Sequence, residues 1–202
     1  LPMAAVPTLI LKQPWKTRSD VVTVLFPFPG KGAPPITSVE ALEQEDDLFA
    51  GRIRLADGAE HLCLWNDTPT PRTPRTIADL TTDAEVANAC LQTGPSFRLL
   101  LVNGTTLNAK AARLQADRPT TASVAGVSKG IYVVACDTDA SLRLTLPECM
   151  TQAAPTAWNL DRDWNRTAPV PIQLRDCVLT WRATANCPVE ISWAQRTARQ
   201  AR

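Results

Sequence analysis

Short runs of alternating apolar and polar residues, each closed by proline, glycine, aspartate or asparagine, recur along most of this chain. In "GRIRLADGAEHLCLW", Ile53 and Leu55 alternate with arginines, Asp57-Gly58 supplies a turn, and Leu62 and Leu64 answer beyond it. That period of two around an Asp-Gly pair predicts a β-hairpin. "FRLLLVNGTTL" carries the strongest hairpin signal, an apolar run that meets Asn103-Gly104 and continues in β-formers. "GIYVVAC" and "SLRLTL" predict another strand pair around "DTDA", and "IQLRDCVLTW" and "CPVEISW" predict two closing strands. Val21–Phe26 predicts a strand stopped by Pro27 and Pro29. Two capping boxes, Thr37-x-x-Glu40 and Thr82-x-x-Glu85, predict short helices over "VEALEQEDDLFA" and near Asp83–Leu91.

Together these predict a mainly β, sandwich-like fold with one or two short helices. Residues 1–202 are taken as one β-rich domain, with a proline-rich arm and first strand over 1–36 and a basic tail over 194–202. The composition fits: 17 prolines against 8 glycines keep helices short and favour strands with rigid loops. A net charge of +1 recommends neither nucleic acid nor an anionic membrane as partner. No apolar stretch of about 20 residues is present, so no membrane-inserting helix is expected.

Six cysteines, Cys63, Cys90, Cys136, Cys149, Cys177 and Cys187, form an even set without any Cys-x-x-Cys, and His61 is the only histidine. A disulfide framework is the expectation, since zinc sites are usually built on close cysteine pairs. Pairing of nearest neighbours in sequence closes the shortest loops: Cys63–Cys90, Cys136–Cys149 and Cys177–Cys187. Asn66, Asn103 and Asn165 each open an Asn-x-Thr acceptor for N-glycosylation. Disulfides and sequons together predict a secreted or surface glycoprotein, its signal peptide removed before "LPMAAVPTLIL".

Catalysis is not expected. No second histidine, nucleophile elbow or phosphate-cradling glycine loop is present, and Asp137/Asp139 and Asp161/Asp163 have the character of turn residues rather than metal ligands. No cofactor is expected either. Of the six tryptophans, Trp181 and Trp193 sit near strand ends and suit a core. Trp158 and Trp164 flank "NLDRD" and are candidates for an exposed protein contact.

The chain closes on "RTARQAR", in which Arg196, Arg199 and Arg202 give two overlapping Arg-x-x-Arg patterns of the kind cut by furin-like convertases, whose acidic subsites pair with arginines at that spacing. "GIYVVACDT" followed by "LTLPEC" resembles the Gly-x-Tyr, Cys, Leu-Pro, Cys segment of retroviral and endogenous retroviral envelope surface subunits, and "ACLQTGPSFRLLLVNGTTL" resembles a cysteine-then-strand passage in them. The resemblance implies a receptor-binding head that caps a membrane-anchored fusion subunit of the same precursor, cleaved after Arg202. The alternative is a secreted adhesion or immune-ligand-binding module without a fusion partner.

Overall fold

The computed structural model describes residues 35–45, 47–69, 72–91, 97–110, 112–128, 130–146 and 154–193. The first strands form a meander: β1 (Ile36–Gln44), β2 (Leu48–Leu55) and β3 (Glu60–Asn66) pair antiparallel in turn. The β2–β3 turn is the expected one. Gly58 takes φ +85°, which only glycine adopts freely, and the Asp57 carboxylate accepts the Ala59 N–H at 2.9 Å. A small hairpin follows, β4 (Arg75–Ile77) and β5 (Leu80–Thr82), and then β6 (Val86–Leu91), which pairs with β3.

Two long strands organise the rest, β7 (Phe97–Ala109) and β8 (Ala112–Ser128). They pair with each other along their length but carry different neighbours at their two ends. Phe97–Val102 of β7 pairs with β6, whereas Leu107–Ala109 pairs with β5. The far part of β8 pairs with β9 (Ile131–Cys136), and Arg113–Ala116 pairs with β10 (Ala140–Thr145). The remaining strands are β11 (Pro155–Leu160), β12 (Arg166–Pro169), β13 (Ile172–Arg175), β14 (Val178–Ala183) and β15 (Val189–Trp193). One continuous antiparallel sheet results, with two wings sharing β7 and β8. The first wing runs β1-β2-β3-β6-β7-β8-β9-β15-β11-β12, and the second runs β4-β5-β7-β8-β10-β14-β13.

The larger apolar cluster draws on both wings, and a smaller one packs Leu55, Ala59 and Cys90 with Ile36 and Ile53. In the larger, Leu62, Leu64, Leu99, Leu101, Val124 and Ile191 come from the first wing, and Leu107, Leu114, Leu142, Leu144, Leu179 and Trp181 from the second. Alternation explains it: β9 and β14 bury every second residue, so each wing turns one set of side chains into this cluster. Each fully buried leucine contributes about 1.5–3 kcal/mol by leaving water.

Several expectations change here. Among the described residues the fold is mainly β and has no helix. Both capping boxes lie in or beside strands, because their side chains find partners across the sheet. Thr37 Oγ1 donates to the Arg54 carbonyl at 3.1 Å, Glu40 pairs with Arg52 at 3.2 Å, and Thr82 Oγ1 donates to the Thr106 carbonyl at 2.6 Å. Asn103-Gly104 is not a hairpin turn but a bend inside β7. Asn103 takes φ 50°, and the register with β8 shifts on both sides of Gly104, the mark of a β-bulge. The chain reverses later, after Ala109, where Lys110 takes φ 52°.

"GIYVVAC" and "SLRLTL" do not pair either: β9 belongs to the first wing and β10 to the second, and Asp137–Asp139 carries the chain between them. "IQLRDCVLTW" is itself a hairpin, β13 and β14, turned at Asp176 and Cys177 with φ 48° and 66°. Positive φ at both central residues is the two-residue hairpin geometry that matches strand twist.

None of the three expected disulfide pairings forms: Cys63, Cys90, Cys136 and Cys187 are free thiols. Register gives the reason for the first. Cys63 faces Asn88 and Cys90 faces His61, so the two are diagonal neighbours with Cα atoms about 7–8 Å apart, beyond the about 4.4–6.8 Å Cα separation a disulfide spans. Cys177 is disulfide-bonded, and its partner is not among the described residues. Cys149 and the predicted strand Val21–Phe26 lie outside the described residues.

Candidate interaction surface

Because alternation buries one face of each strand, the first wing must turn its other residues outward, and the register lays them out in rows. One row runs Phe49, Trp65, Val86, Val102 across β2, β3, β6 and β7. The next runs Gly51, Cys63, Asn88, Leu100, Ser123, Ala135 and reaches β9. A third runs Val39, Ile53, His61, Cys90, Arg98, Ala125, Val133, Glu190, Trp158 and reaches β11, with Cys90 itself buried beside Leu55 and Ala59.

Trp65 is 59% exposed, and Val39 and Leu100 are exposed in the other two rows. The charged side chains in these rows are Arg98 and Glu190, and Glu190 is paired with Arg166 of β12. A depression of about 350 Å³ opens next to Leu100, lined also by Ser123, Ala135, Asp137, Asn186 and Pro188. An aromatic and apolar face with few charges has the make-up of the buried centre of a protein interface.

The polar members of this face are quiet. Burial pushes the Cys63 thiol up, against the Asn88 amide, which donates to its sulfur at 2.9 Å. Burial likewise raises the Cys90 thiol, against the Arg98 guanidinium. Both are therefore neutral thiols near pH 7 and poor nucleophiles. Burial also lowers His61 below its ordinary 6.5, and the positive charge of Arg98 adds to this, while the bond with Asn88 and the charge of Asp57 oppose it.

Since the unfolded chain binds the proton more readily than the folded one, His61 makes stability fall as pH drops below about 6.5. As the sole histidine, it gives a clean test. Urea midpoints should decline between about pH 6.5 and 5, and His61→Gln should flatten that decline. The thiols give another. Alkylation in denaturant without reductant should label Cys63, Cys90, Cys136 and Cys187, located by peptide mass, whereas native protein at neutral pH should label Cys63 and Cys90 slowly.

The other predicted residues fall in different places. Trp158 is half-buried on the same face as Trp65, at the β11 end, and Trp164 is 64% exposed at the β11–β12 loop with φ 65°. Trp181 and Trp193 are buried, as the sequence suggests. Asn66 is only 1% exposed, and its carbonyl oxygen accepts from both the backbone N–H and the hydroxyl of Thr68. Asn103 and Asn165 are exposed; the Asn103 amide donates to Glu85 at 2.9 Å, and the Asn165 N–H donates to Asp161 at 2.9 Å.

The Asp-x-Asp pairs work as turn residues. Asp137 accepts from the Thr121 N–H and Thr120 Oγ1, each at 2.9 Å, and these bonds outweigh its partial desolvation to hold its carboxyl below the usual range. Asp139 accepts the Ala185 N–H at 2.8 Å. The Asn165 N–H, more than any other group, holds the Asp161 carboxyl low. No cluster of three or more metal-binding side chains occurs among the described residues. Arg196, Arg199 and Arg202 lie outside them.

Trp65 escapes the sequence reading, although its signal is present. In "EHLCLWN" Leu62 and Leu64 point inward, so Trp65 has to point out. Comparison with protein-family models and with curated proteins finds no match, so the residues and their geometry carry the functional argument.

Proposed function

We propose that the protein is a sandwich-like recognition module that acts by protein–protein contact through the outer face of its first wing. The observation that carries this reading is Trp65, a large aromatic 59% exposed in the middle strands of a face with few charges. Tryptophan dominates binding energetics where it is found at interfaces, and folded chains seldom leave it exposed in an apolar row without use. The partner that fits is a protein presenting a flat, weakly charged apolar surface, with one side chain able to enter the depression beside Leu100.

The narrower form is a receptor-binding surface subunit of an envelope glycoprotein, secreted through the signal-peptide pathway and cleaved after Arg202. It draws its support from the two envelope-like motifs, the arginine tail and the exposed Asn103 and Asn165 sequons. The free thiols count against it, because disulfides are what oxidising compartments usually add to such domains. The recognition reading itself does not depend on the compartment. A coding sequence that runs past Arg202 into an apolar segment and a heptad-repeat helix supports the envelope form, and a stop codon there removes it in favour of an adhesion or ligand-binding module.

Paired capture tests the broader proposal. Immobilised protein and its Trp65→Ser variant, matched by circular dichroism, are exposed to surface proteins of candidate cells. A protein retained by the first and lost by the second is expected. Identical retention by both overturns the reading.

A further inference from the structure

The second wing turns a different chemistry outward. Arg113 on β8, Arg143 on β10, Arg182 on β14 and Arg175 on β13 are all exposed, alternating with the buried leucines of the same strands. Register sets them in neighbouring rows: Asn108, Arg113, Thr145, Val178, Arg175 in one, and Thr106, Gln115, Arg143, Thr180, Gln173 in the next, with Ser141 facing Arg182 beyond. None of these four arginines forms an ion pair among the described residues. A depression of about 270 Å³ lies between Arg143 and Arg175, lined also by Gln173, Asp176, Val178 and Thr180. The acids near the face are Asp176, Asp117 and, at the Thr106 end, Asp83; Asp83 accepts the Thr106 N–H at 2.8 Å, and Asp117 is held by the Ser141 N–H at 3.0 Å and sits 3.6 Å from Arg118.

We propose that this face binds a linear sulfated polysaccharide, with Arg113, Arg143, Arg175 and Arg182 on its sulfates and Gln115, Gln173 and Thr180 on its hydroxyls. Guanidinium groups take sulfate oxygens two at a time in their planar fork. Amide and hydroxyl side chains both donate and accept, which suits sugar hydroxyls. Adjacent strands are about 5 Å apart, so a chain lying across the two neighbouring rows passes Arg113 on β8, Arg143 on β10 and Arg175 on β13, with Arg182 of β14 one row beyond.

Other polyanions fit less well. The two rows contain no aromatic platform on which nucleic-acid bases could stack. Val178 is the only large apolar side chain in them, whereas a protein partner would be anchored by buried apolar or aromatic groups. The proposal is independent of the Trp65 face, which belongs to the other wing.

The test uses the full chain and three immobilised probes: dextran sulfate, unsulfated dextran and duplex DNA. Retention on dextran sulfate, release by rising salt and no retention on dextran are expected. The Arg113→Ser/Arg143→Ser/Arg175→Ser variant should bind dextran sulfate about tenfold or more weakly with an unchanged melting temperature, since these side chains are exposed. Arg143→Lys keeps the charge but loses the fork, and should weaken binding about threefold, which covers the case in which the triple variant misfolds. Removing Arg196, Arg199 and Arg202 by serine substitution should leave binding intact. Loss of binding with the tail variant and not with the face variants overturns the proposal. So does duplex DNA retained as tightly as dextran sulfate, or no retention on dextran sulfate at all.

Discussion

Gly104→Ala should destabilise the fold by about 3 kcal/mol or more, or prevent folding. Gly104 does not have a left-handed φ, so its role is one of space. A Cβ placed there would lie 2.7 Å from Ala84 Cα and 2.9 Å from both Ala84 Cβ and Leu101 Cδ1. The nearest atom is backbone, and the segment that carries it is pinned. Asp83 accepts the N–H groups of Thr105 and Thr106 at 2.9 and 2.8 Å and the Thr105 hydroxyl at 2.5 Å, which ties the β5–β6 connection to the bend of β7. Neither side can withdraw without breaking bonds to a charged acceptor. At an unconstrained site the same substitution would stabilise by about 0.4–1 kcal/mol through loss of unfolded-state freedom, so the sign of the effect is diagnostic. Chemical denaturation with a circular-dichroism readout decides it; an unchanged or raised midpoint would show that the bend is not packed as described.

Trp181→Ala should cost about 3–5 kcal/mol. Trp181 is 3% exposed on β14, opposite Leu142 and Ile172, and belongs to the cluster that takes residues from both wings. Truncation leaves a cavity that leucines held on two strands cannot collapse to fill. Its indole N–H is buried without a hydrogen-bond partner, which makes Trp181→Phe informative. That variant gives up some volume but also removes an unsatisfied donor worth about 1–3 kcal/mol, so it should fall within about 1.5 kcal/mol of the parent. Equal losses in both variants would show that the indole N–H is satisfied and that volume alone matters.

How far the sequence exposed this fold depends on which signals were local. The β2–β3 hairpin was legible because Asp57-Gly58 sets the turn, but its register was not: Leu62 faces Arg52 and Ile53 faces His61, so Ile53 and Leu55 lie on the opposite face from Leu62 and Leu64. Burial of Trp181 and Trp193 was legible, since each ends an alternating run. The two helices were not. Capping boxes are recognised by a hydroxyl and a carboxylate at fixed spacing, and Thr37/Glu40 and Thr82/Glu85 meet that spacing while bonding across strands instead.

Asn103-Gly104 misleads in a related way. The residues that tolerate a reversal also tolerate a bulge, and what selects the bulge is the Asp83 carboxylate, distant enough in sequence that no local pattern contains it. The crossing between β9 and β10 was hidden because neighbouring strands usually pair, and here the bonds of Asp137 and Asp139 to Thr120, Thr121 and Ala185 hold a passage between wings. Cysteine count is a compositional signal that carries no geometry, so the diagonal offset of Cys63 and Cys90 could not be read from it. The outward face was half legible: strand parity alone sends Trp65 outward, but its row-mates Phe49, Val86 and Val102 come from three other strands and need the register.

The recognition account rests on that face, and the affinity of the captured partner for a tryptophan-truncated chain tests it most directly. Titration calorimetry with Trp65→Ala should show about 30-fold weaker binding, the effect of losing about 2 kcal/mol at a central aromatic anchor, with Trp164→Ala within about threefold of the parent. Unchanged affinity in Trp65→Ala together with a large loss in Trp164→Ala would contradict the account and move the binding site to the β11–β12 loop.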